Sequence, residues 1–590
     1  MRRTHTCGEL NKKNINQKVK LCGWVNKIRD FGGITFIDLR DRFGLTQLLI
    51  DSKISSSAYE LSKEIRNEFV LQIEGEVLPR KDINAKLSTG EIEIIVKNLD
   101  ILSKSKPSPF PIFEDLTQTN EELRLKYRYL DIRRKQISSK LIIRHMATQE
   151  IRNYLTSQNF VEITTPTLCK STPEGARDYL VPSRIFPGNF YALPQSPQLF
   201  KQLLMIGGMD RYFQIPICYR DEDPRADRQP EFSQVDIEMS FGDKEDIYEI
   251  AENLTKTVFK KCLGLDIKTP FLKMSYTDAL EKYGCDKPDM RFDLQFVRLD
   301  EILKNSNFAI FSDTLKKKGS IKAFKVEKAS DISRKKVDDY TQFVKQFNLK
   351  GLATFKMQDN SLQSPIAKFF TDEELKQIKE KMDMKENDII FIAADMEDIV
   401  NQGLDHLRRL LAKDKGLIKE NDYKFLWVVD FPLFEISKQT NQLTSTHHPF
   451  TSPNSEDLHL LDTDPIKAKA AAYDLVLNGY EIAGGSQRIF SSDLQEKIFT
   501  LLNLTKEDIA TKFGFFIDAL NYGTPPHQGI AFGLDRLIML LTGTDNIRDV
   551  IAFPKTLKGL DLMMNSPSLV TKDQLDELSL KTKEEVNINW

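Results

Sequence analysis

Cys218-Tyr-Arg-Asp-Glu-Asp-Pro-Arg-Ala-Asp-Arg-Gln-Pro-Glu-Phe-Ser-Gln-Val-Asp-Ile-Glu238 is the stretch on which the reading of this chain turns. An apolar run from Tyr212 to Tyr219 ends in Arg220, a loop of alternating acids and arginines follows, and an alternating strand runs from Phe232 to Phe241. A strand–loop–strand with so many guanidinium groups at its bend suits a polyanion, because arginine's planar fork matches phosphate oxygens. The intervening acids prevent indiscriminate attraction and can themselves bind a cation or an amino group. A solvated hairpin tip laced with ion pairs has the same composition, so the rest of the chain must decide.

Three further stretches carry chemistry. Gly529-Ile-Ala-Phe-Gly-Leu-Asp-Arg-Leu-Ile-Met-Leu-Leu541 is a glycine-rich passage from strand to helix, with Arg536 at the helix start. Its glycines permit close backbone approach and the helix N-terminus adds donors, although plain packing uses the same pattern. In the stretch Ala470 to Arg488, Asn478-Gly479 is a two-residue hairpin turn. That turn sets Leu477 opposite Tyr480 and Val476 opposite Glu481, with Asp474 diagonal to Glu481 on one face. Diagonal neighbours lie about 7–8 Å apart, a spacing at which two carboxylates share a hydrated divalent cation such as Mg²⁺. Strict alternation turns Arg488 to the other face, so a bulge at Gly484-Gly485 is expected to bring it round. Ser171-Thr-Pro-Glu-Gly-Ala-Arg-Asp178 reads as a mobile loop around Glu174, and Ser196-Pro-Gln-Leu-Phe-Lys201 gathers three polar groups. His447 and His448 are adjacent and point apart on a strand, a poor chelate; one of them as a substrate contact fits better.

The 590 residues imply several domains, and 40% apolar with 29% charged residues is an ordinary soluble composition. No apolar run approaches the ~20 residues that span a bilayer, and the first residues do not read as a signal or transit segment. The six scattered cysteines include no Cys-x-x-Cys pair, which favours a reducing cytoplasm over disulfides or structural zinc. The net charge of −2 excludes a generally basic nucleic-acid binder, but residues 1–104 hold 18 Lys/Arg against 14 Asp/Glu.

Those residues read as five short strands, 19–25, 33–39, 46–50, 70–77 and 92–96, with a helix at 58–68 between the third and fourth. That is the order of an OB-fold barrel, which commonly binds single-stranded nucleic acid. Arg29, Phe36 and Gln47 fall on or beside its strand 1–3 face, suited to stack on and read bases or equally to serve as a core phenylalanine with two solvated neighbours. A proline-rich linker over 104–111 leads to a basic helical hinge at 121–134 and an amphipathic helix at 141–155. Pro166 marks an edge or an interface. The change of character over 288–416, with basic clusters at 316–318 and 334–336, marks an inserted domain. The expected division is 1–104 barrel, 105–140 hinge, 141–287 and 417–590 the two parts of a catalytic domain with a C-terminal extension, and 288–416 the insertion.

Taken together, the Pro166 segment, the Arg220 loop and the 529–541 helix resemble motifs 1, 2 and 3 of the class II aminoacyl-tRNA synthetases. The stretches 172–184, 195–202, 223–238 and 546–555 are similar to the bacterial aspartyl members, whose inserted domain between motifs 2 and 3 this chain shares. The resemblance implies an OB-fold joined to an α+β catalytic domain, an antiparallel sheet flanked by helices, interrupted by an α+β insertion. It also implies a homodimer in the cytoplasm with ATP, Mg²⁺, L-aspartate and tRNA(Asp) as ligands, tRNA(Asn) being a second substrate in the non-discriminating alternative. A lysyl or asparaginyl specificity and an inactive RNA-binding paralogue are the competing readings. By the same resemblance Arg220 and Arg536 are the catalytic arginines, on the α- and γ-phosphates. Glu174, Ser196, Gln198, Lys201, Arg220, Asp236, His447 and Arg488 surround aspartate, with Lys201 and Arg488 on its side-chain carboxylate. Arg220, Asp221, Glu222, Gln229, Phe232, Glu481, Gly533, Leu534, Asp535 and Arg536 contact ATP, with Phe232 on adenine; Asp474 and Glu481 hold the Mg²⁺. Arg29, Phe36 and Gln47 read the anticodon, Leu49 stands where relatives can carry a second aromatic, and Phe31 stands where relatives differ in tRNA breadth.

Overall fold

The computed structural model describes residues 2–113, 119–172, 175–223, 225–437 and 440–583, so Glu174 lies outside the described residues. The described residues form two units: one holds the residues up to His145 with Thr544–Leu569, the other Met146–Asp223 and Asp227–Gly543.

In the first unit, Lys18–Asp30, Ile34–Arg40, Leu45–Asp51, Val70–Pro79 and Ile92–Ser103 close into a barrel. Alternation explains the closure: Val19, Leu21, Val25, Ile37, Leu39, Leu48, Ile50, Ile73 and Ile94 all turn inward and are buried, and the first strand pairs with both the second and the fourth. The helix is Ser56–Ser62, capped by the Ser55 hydroxyl accepting from Ala58 N–H, shorter than the predicted 58–68. The basic stretch 121–134 is helical over Glu121–Lys126 and Arg128–Asp131, and its charge faces inward. Arg124 and Arg128 converge on the fully buried Asp131; Arg124 also pairs with Asp549, and Arg128 donates to the carbonyls of Arg548, Ile551 and Ala552. These arginines fasten the stretch 121–134 to residues 548–552. Removing one partner of such a buried pair costs about 3–5 kcal/mol.

The second unit is built on a mostly antiparallel sheet in the order Leu272–Ser275, Phe425–Val429, Ala472–Leu477, Tyr480–Gln487, His527–Gly533, Glu231–Ser240, Arg211–Gln214, Val161–Glu162. Only the outermost pair at each end is parallel. The segment before Pro166 is thus an edge strand, as its proline suggested. The apolar run 212–219 breaks at Pro216 into Arg211–Gln214 and Ile217–Tyr219, and the strand Phe425–Val429 ends where Asp430 turns to φ 57° ahead of Pro432. The helices Gln198–Ile206, Lys244–Leu263 and Leu534–Leu541 pack on the sheet. Between Leu272–Ser275 and Phe425–Val429 the chain builds a separate five-stranded sheet, from Phe296–Arg298 to Ile389–Asp395, with apolar clusters on both faces and the helix Glu397–Asp414 at its end. Among the described residues no helix is long and apolar enough to cross a membrane.

Candidate active site

The central strands, the start of helix Gln198–Ile206 and the 175–176 turn enclose a cleft of about 300 Å³. It is lined by Ser196, Gln198, Lys201, Arg220, Glu222, Asp236, His447, Asp474, Glu481 and Arg488 among others. The 175–178 turn is held by Gln195, whose amide exchanges hydrogen bonds with both backbone groups of Ala176 and donates to Asp178.

One end of the cleft is a buried four-charge knot. Asp236 and Glu238, two apart on one strand, share a face and are fully buried. Lys201 Nζ lies 2.5 Å from Asp236 Oδ1 and 3.3 Å from Glu238 Oε2. Arg488 grips Glu238 through Nε and Nη2 at 2.9 and 3.1 Å, while its Nη1 meets His448 Nε2 at 2.8 Å and Ser486 Oγ at 2.5 Å. Burial pushes the Asp236 carboxyl up, opposed by Lys201. Burial presses Glu238 the same way, but Arg488 and Lys201 outweigh it and hold Glu238 below the usual carboxylate range. His448 is driven well below 6.5 by burial and by Arg488; it is neutral, with Nε2 as acceptor because arginine can only donate. Glu238 and Ser486 were not singled out in the sequence. The signal was available for Glu238, since an acid two residues from Asp236 on a central strand needs a buried cation.

Two of the lysine's three protons and four of the arginine's five N–H groups are thereby engaged, leaving one donor on each. Three other buried polar atoms lining this end have no partner among the described residues: Gln198 Nε2, Asp236 Oδ2 and His447 Nε2. Unmet donors and acceptors are costly in a folded interior unless a ligand meets them. Burial lowers the pKa of His447 despite the pull of Glu481 and Asp286, so it is neutral at pH 7. The two histidines do point apart, one into the cleft and one onto Arg488.

The other end is the hairpin. Asn478 and Gly479 take φ 52° and 86°, the two positive values a tight hairpin turn needs, and Leu477 pairs with Tyr480 and Val476 with Glu481 as predicted. The bulge is not at Gly484-Gly485: Leu475 pairs with Ala483, so the extra residue is Ile482. It performs the expected rotation, since Glu481, Gly484, Ser486 and Arg488 then face the same side as Asp474. The glycines are there for space. A Cβ on Gly485 would sit 2.2 Å from the Gly529 carbonyl of the next strand, and one on Gly484 would sit 2.9 Å from Asp474 Oδ1 and 3.4 Å from Glu481 Oε1. The two carboxylates therefore converge over a bare backbone floor. Neither has a salt-bridge partner among the described residues, and burial followed by Glu481 pushes the Asp474 carboxyl well up. Two acids above a Cβ-free floor are residues that could hold a divalent cation.

Arg220 lines the cleft with its guanidinium 5.1 Å above the Phe232 ring. Glu222 pairs with Arg228 at 2.8 Å, Asp221 lies 3.5 Å from Arg177, and Gln229 is buried. Arg536 is not among the lining residues. It donates to the Glu481 carbonyl at 2.6 Å and to Asp227 at 3.2 Å, one residue from the bulge. Leu534 and Asp535 are buried, and Asp535 accepts from Ser233 N–H at 2.7 Å, tying the helix start to the strand after the loop. Gly533 precedes that helix, and a Cβ there would make only ordinary contact, 3.8 Å from Arg536 Cβ.

On the barrel, Arg29 and Phe36 are cross-strand partners, as are Asp38 and Gln47. Arg29 clasps Asp38 at 3.2 and 2.9 Å and reaches Gln47 at 3.3 Å, while Gln47 donates to Glu93 at 2.7 Å. Phe36 is half-buried and meets the exposed Phe31 edge-on at 5.9 Å. The face offers aromatic surface beside a fixed polar row; Asp38 and Glu93 are the members the sequence did not reveal.

Residues 120–557 match the family of class II tRNA synthetases (D, K and N), and residues 19–102 match the OB-fold nucleic acid binding domain. The chain belongs to that family: it is a class II aminoacyl-tRNA synthetase with an OB-fold, and such enzymes use ATP. Within it, the chain is 57% identical over 582 residues to the aspartate–tRNA(Asp/Asn) ligase of Protochlamydia amoebophila, covering 98% of this chain and 97% of that one. It is 51% identical over 583 residues to the protein of the same name from Caldanaerobacter subterraneus, covering 98% of each. The fold is also that of asparaginyl-tRNA synthetase from Pyrococcus horikoshii complexed with asparaginyl-adenylate, with a TM-score of 0.59 at 20% identity over 94% of this chain and 98% of that one.

Proposed function

We propose that this synthetase is an aspartate–tRNA ligase that charges tRNA(Asp) and, like the relatives whose names carry both, tRNA(Asn). The observation that supports the amino acid most directly is the knot at Lys201 and Arg488. One donor is left on each of two buried cations, beside an unmet acceptor on Asp236, which suits a side-chain carboxylate with an α-ammonium group. An amide in place of that carboxylate would turn an NH₂ donor toward two cations and leave them unpaired. Sites built to bond a polar group reject its mismatched analogue by several kcal/mol.

In the first step the α-carboxylate of aspartate attacks the α-phosphorus of ATP, and pyrophosphate leaves. A carboxylate is already nucleophilic at neutral pH, so alignment and charge neutralisation suffice. Arg220 binds the α-phosphate and the attacking carboxylate, Arg536 the γ-phosphate, and Phe232, Gln229, Glu222 and Asp221 the nucleoside side, with Gly533, Leu534 and Asp535 shaping the helix start. Ser196, Gln198, Asp236 and His447 hold the amino-acid backbone, joined by Glu174 as the resemblance implies. Asp474 and Glu481 would hold the Mg²⁺, which when bound offsets phosphate charge. In the second step the terminal ribose 3′-OH of the tRNA attacks the acyl carbon and AMP leaves. Arg29, Phe36 and Gln47 read the anticodon. The half-exposed Val161 on the edge strand, with Met146 and Leu168, suits the face of a homodimer, and the substrates place the enzyme in the cytoplasm. Charging of purified tRNA(Asp) and tRNA(Asn) with radiolabelled aspartate tests the proposal: both should become labelled, and a chain that labels neither is not this enzyme.

A further inference from the structure

The helix Glu397–Asp414, last of the inserted domain, carries two adjacent arginines, Arg408 and Arg409. Arg408 is fully buried. It donates to the carbonyls of Asp289, Phe292 and Leu294 and lies over the rings of Tyr283 and Phe292 at 4.9 and 4.5 Å. The helix is thereby fixed to the segment through which the chain runs into the inserted domain. Arg409 extends from that anchored point. Its Nε is held by Asp405 at 3.0 Å, its Nη2 donates to the Lys287 carbonyl at 3.2 Å, and its Nη1 reaches the Gly479 carbonyl at 3.4 Å.

Gly479 is the tip of the hairpin whose two strands bear Asp474 and Glu481. A Cβ there would come within 2.9 Å of Arg409 Nη1, so the guanidinium is seated directly on the turn. One guanidinium thus ties the hairpin turn at Gly479 to the segment at Lys287. Carboxylates sharing an ion must be held within fractions of an ångström.

We infer that Arg409 is a positioning residue for the Asp474–Glu481 pair, and that through it the inserted domain tunes the affinity of the cleft for a divalent cation. The inference rests on the reading of that pair as a cation site. Outer partners of metal-binding side chains typically change affinity by about 10–100-fold, and the loss expected in Arg409→Ala is about tenfold.

The test uses the full chain with ATP, Mn²⁺ binding followed by the EPR signal of the free ion, and amide hydrogen exchange. Arg409→Ala should weaken Mn²⁺ binding about tenfold and speed exchange across residues 474–483, leaving helix Gln198–Ile206 as in the wild type. Arg409→Lys, which keeps a donor for the carbonyl, should recover part of the affinity. Unchanged Mn²⁺ binding and hairpin exchange in Arg409→Ala would overturn the inference. If that variant instead loosens the whole inserted sheet, Arg409→Gln decides, because it keeps a donor and part of the stem but is too short to reach the Gly479 carbonyl: weakened Mn²⁺ binding with an intact sheet supports the inference and wild-type binding overturns it. A wild type that binds no Mn²⁺, or an Asp474→Asn variant that binds it as well as the wild type, sinks the cation site itself and the inference with it.

Discussion

The two ends of the cleft handle buried charge in opposite ways. At the Lys201–Arg488 end each anion has its cation, and the knot is complete before any substrate arrives. At the Asp474–Glu481 end two acids face each other without one. A balanced knot is rigid and selective: it offers a fixed pattern of leftover donors and acceptors, and a ligand either matches it or leaves charges unpaired. An unbalanced pair is a demand for a counter-ion and recognises little beyond charge and size. One end thus suits choosing the amino acid, the other gathering the cation that accompanies a nucleotide.

Arg220, which lines the same cleft, offers the severest test. Arg220→Ala should abolish aspartate-dependent exchange of pyrophosphate into ATP, since the attacking carboxylate and the α-phosphate would repel each other without it. Lys201→Leu attacks the balanced end. It leaves Asp236 and Glu238 sharing a single arginine, and kcat/KM for aspartate should fall at least about a hundredfold; near-wild-type kinetics would remove Lys201 from the aspartate pocket.

Asp474→Asn attacks the unbalanced end and should have a split outcome. A carboxyl whose folded pKa lies above its unfolded value contributes stability that is complete below the unfolded pKa and is lost as pH rises through the folded one. Ionised Asp474 therefore costs stability at neutral pH when no cation is present. The asparagine variant should have a higher Tm than the wild type in EDTA at pH 7.5, lose the Tm increase that Mg²⁺ with ATP gives the wild type, and need about 10–100-fold more Mg²⁺ for exchange. A lower Tm in EDTA would mean that the two ends do not differ as described. The smallest effect belongs to the barrel. Phe36→Ala removes a stacking surface worth about 1–3 kcal/mol per base and should raise KM for tRNA accordingly, with the effect confined to the tRNA-dependent step.

The contrast also marks what the sequence could reveal. The barrel was legible because inward β-branched residues alternate with polar ones along each strand, and the hairpin turn because Asn478-Gly479 favours the two positive φ values it requires. The face shared by Asp474 and Glu481 followed from that turn alone. The bulge at Ile482 was not legible, because glycines attract that assignment, while here Gly485 makes room for the Gly529 carbonyl and Gly484 for the carboxylates. Glu238 was missed for a related reason. A strand's alternation tells which residues share a face, not that a lysine from one helix and an arginine some 250 positions on will both close on it. The stretch 121–134 was read only as a basic helical hinge, whereas Arg124, Arg128 and Arg134 are buried, since sequence shows a charge and not the carbonyls that surround it.

The central claim is that the cleft accepts an amino acid by its side-chain carboxylate while holding ATP beside a divalent cation. Pyrophosphate exchange with aspartate, asparagine and lysine offered separately tests it most directly. Exchange with aspartate, and background rates with the other two, is the predicted result. Exchange sustained by asparagine or lysine as well as by aspartate, or by none of the three, would contradict it.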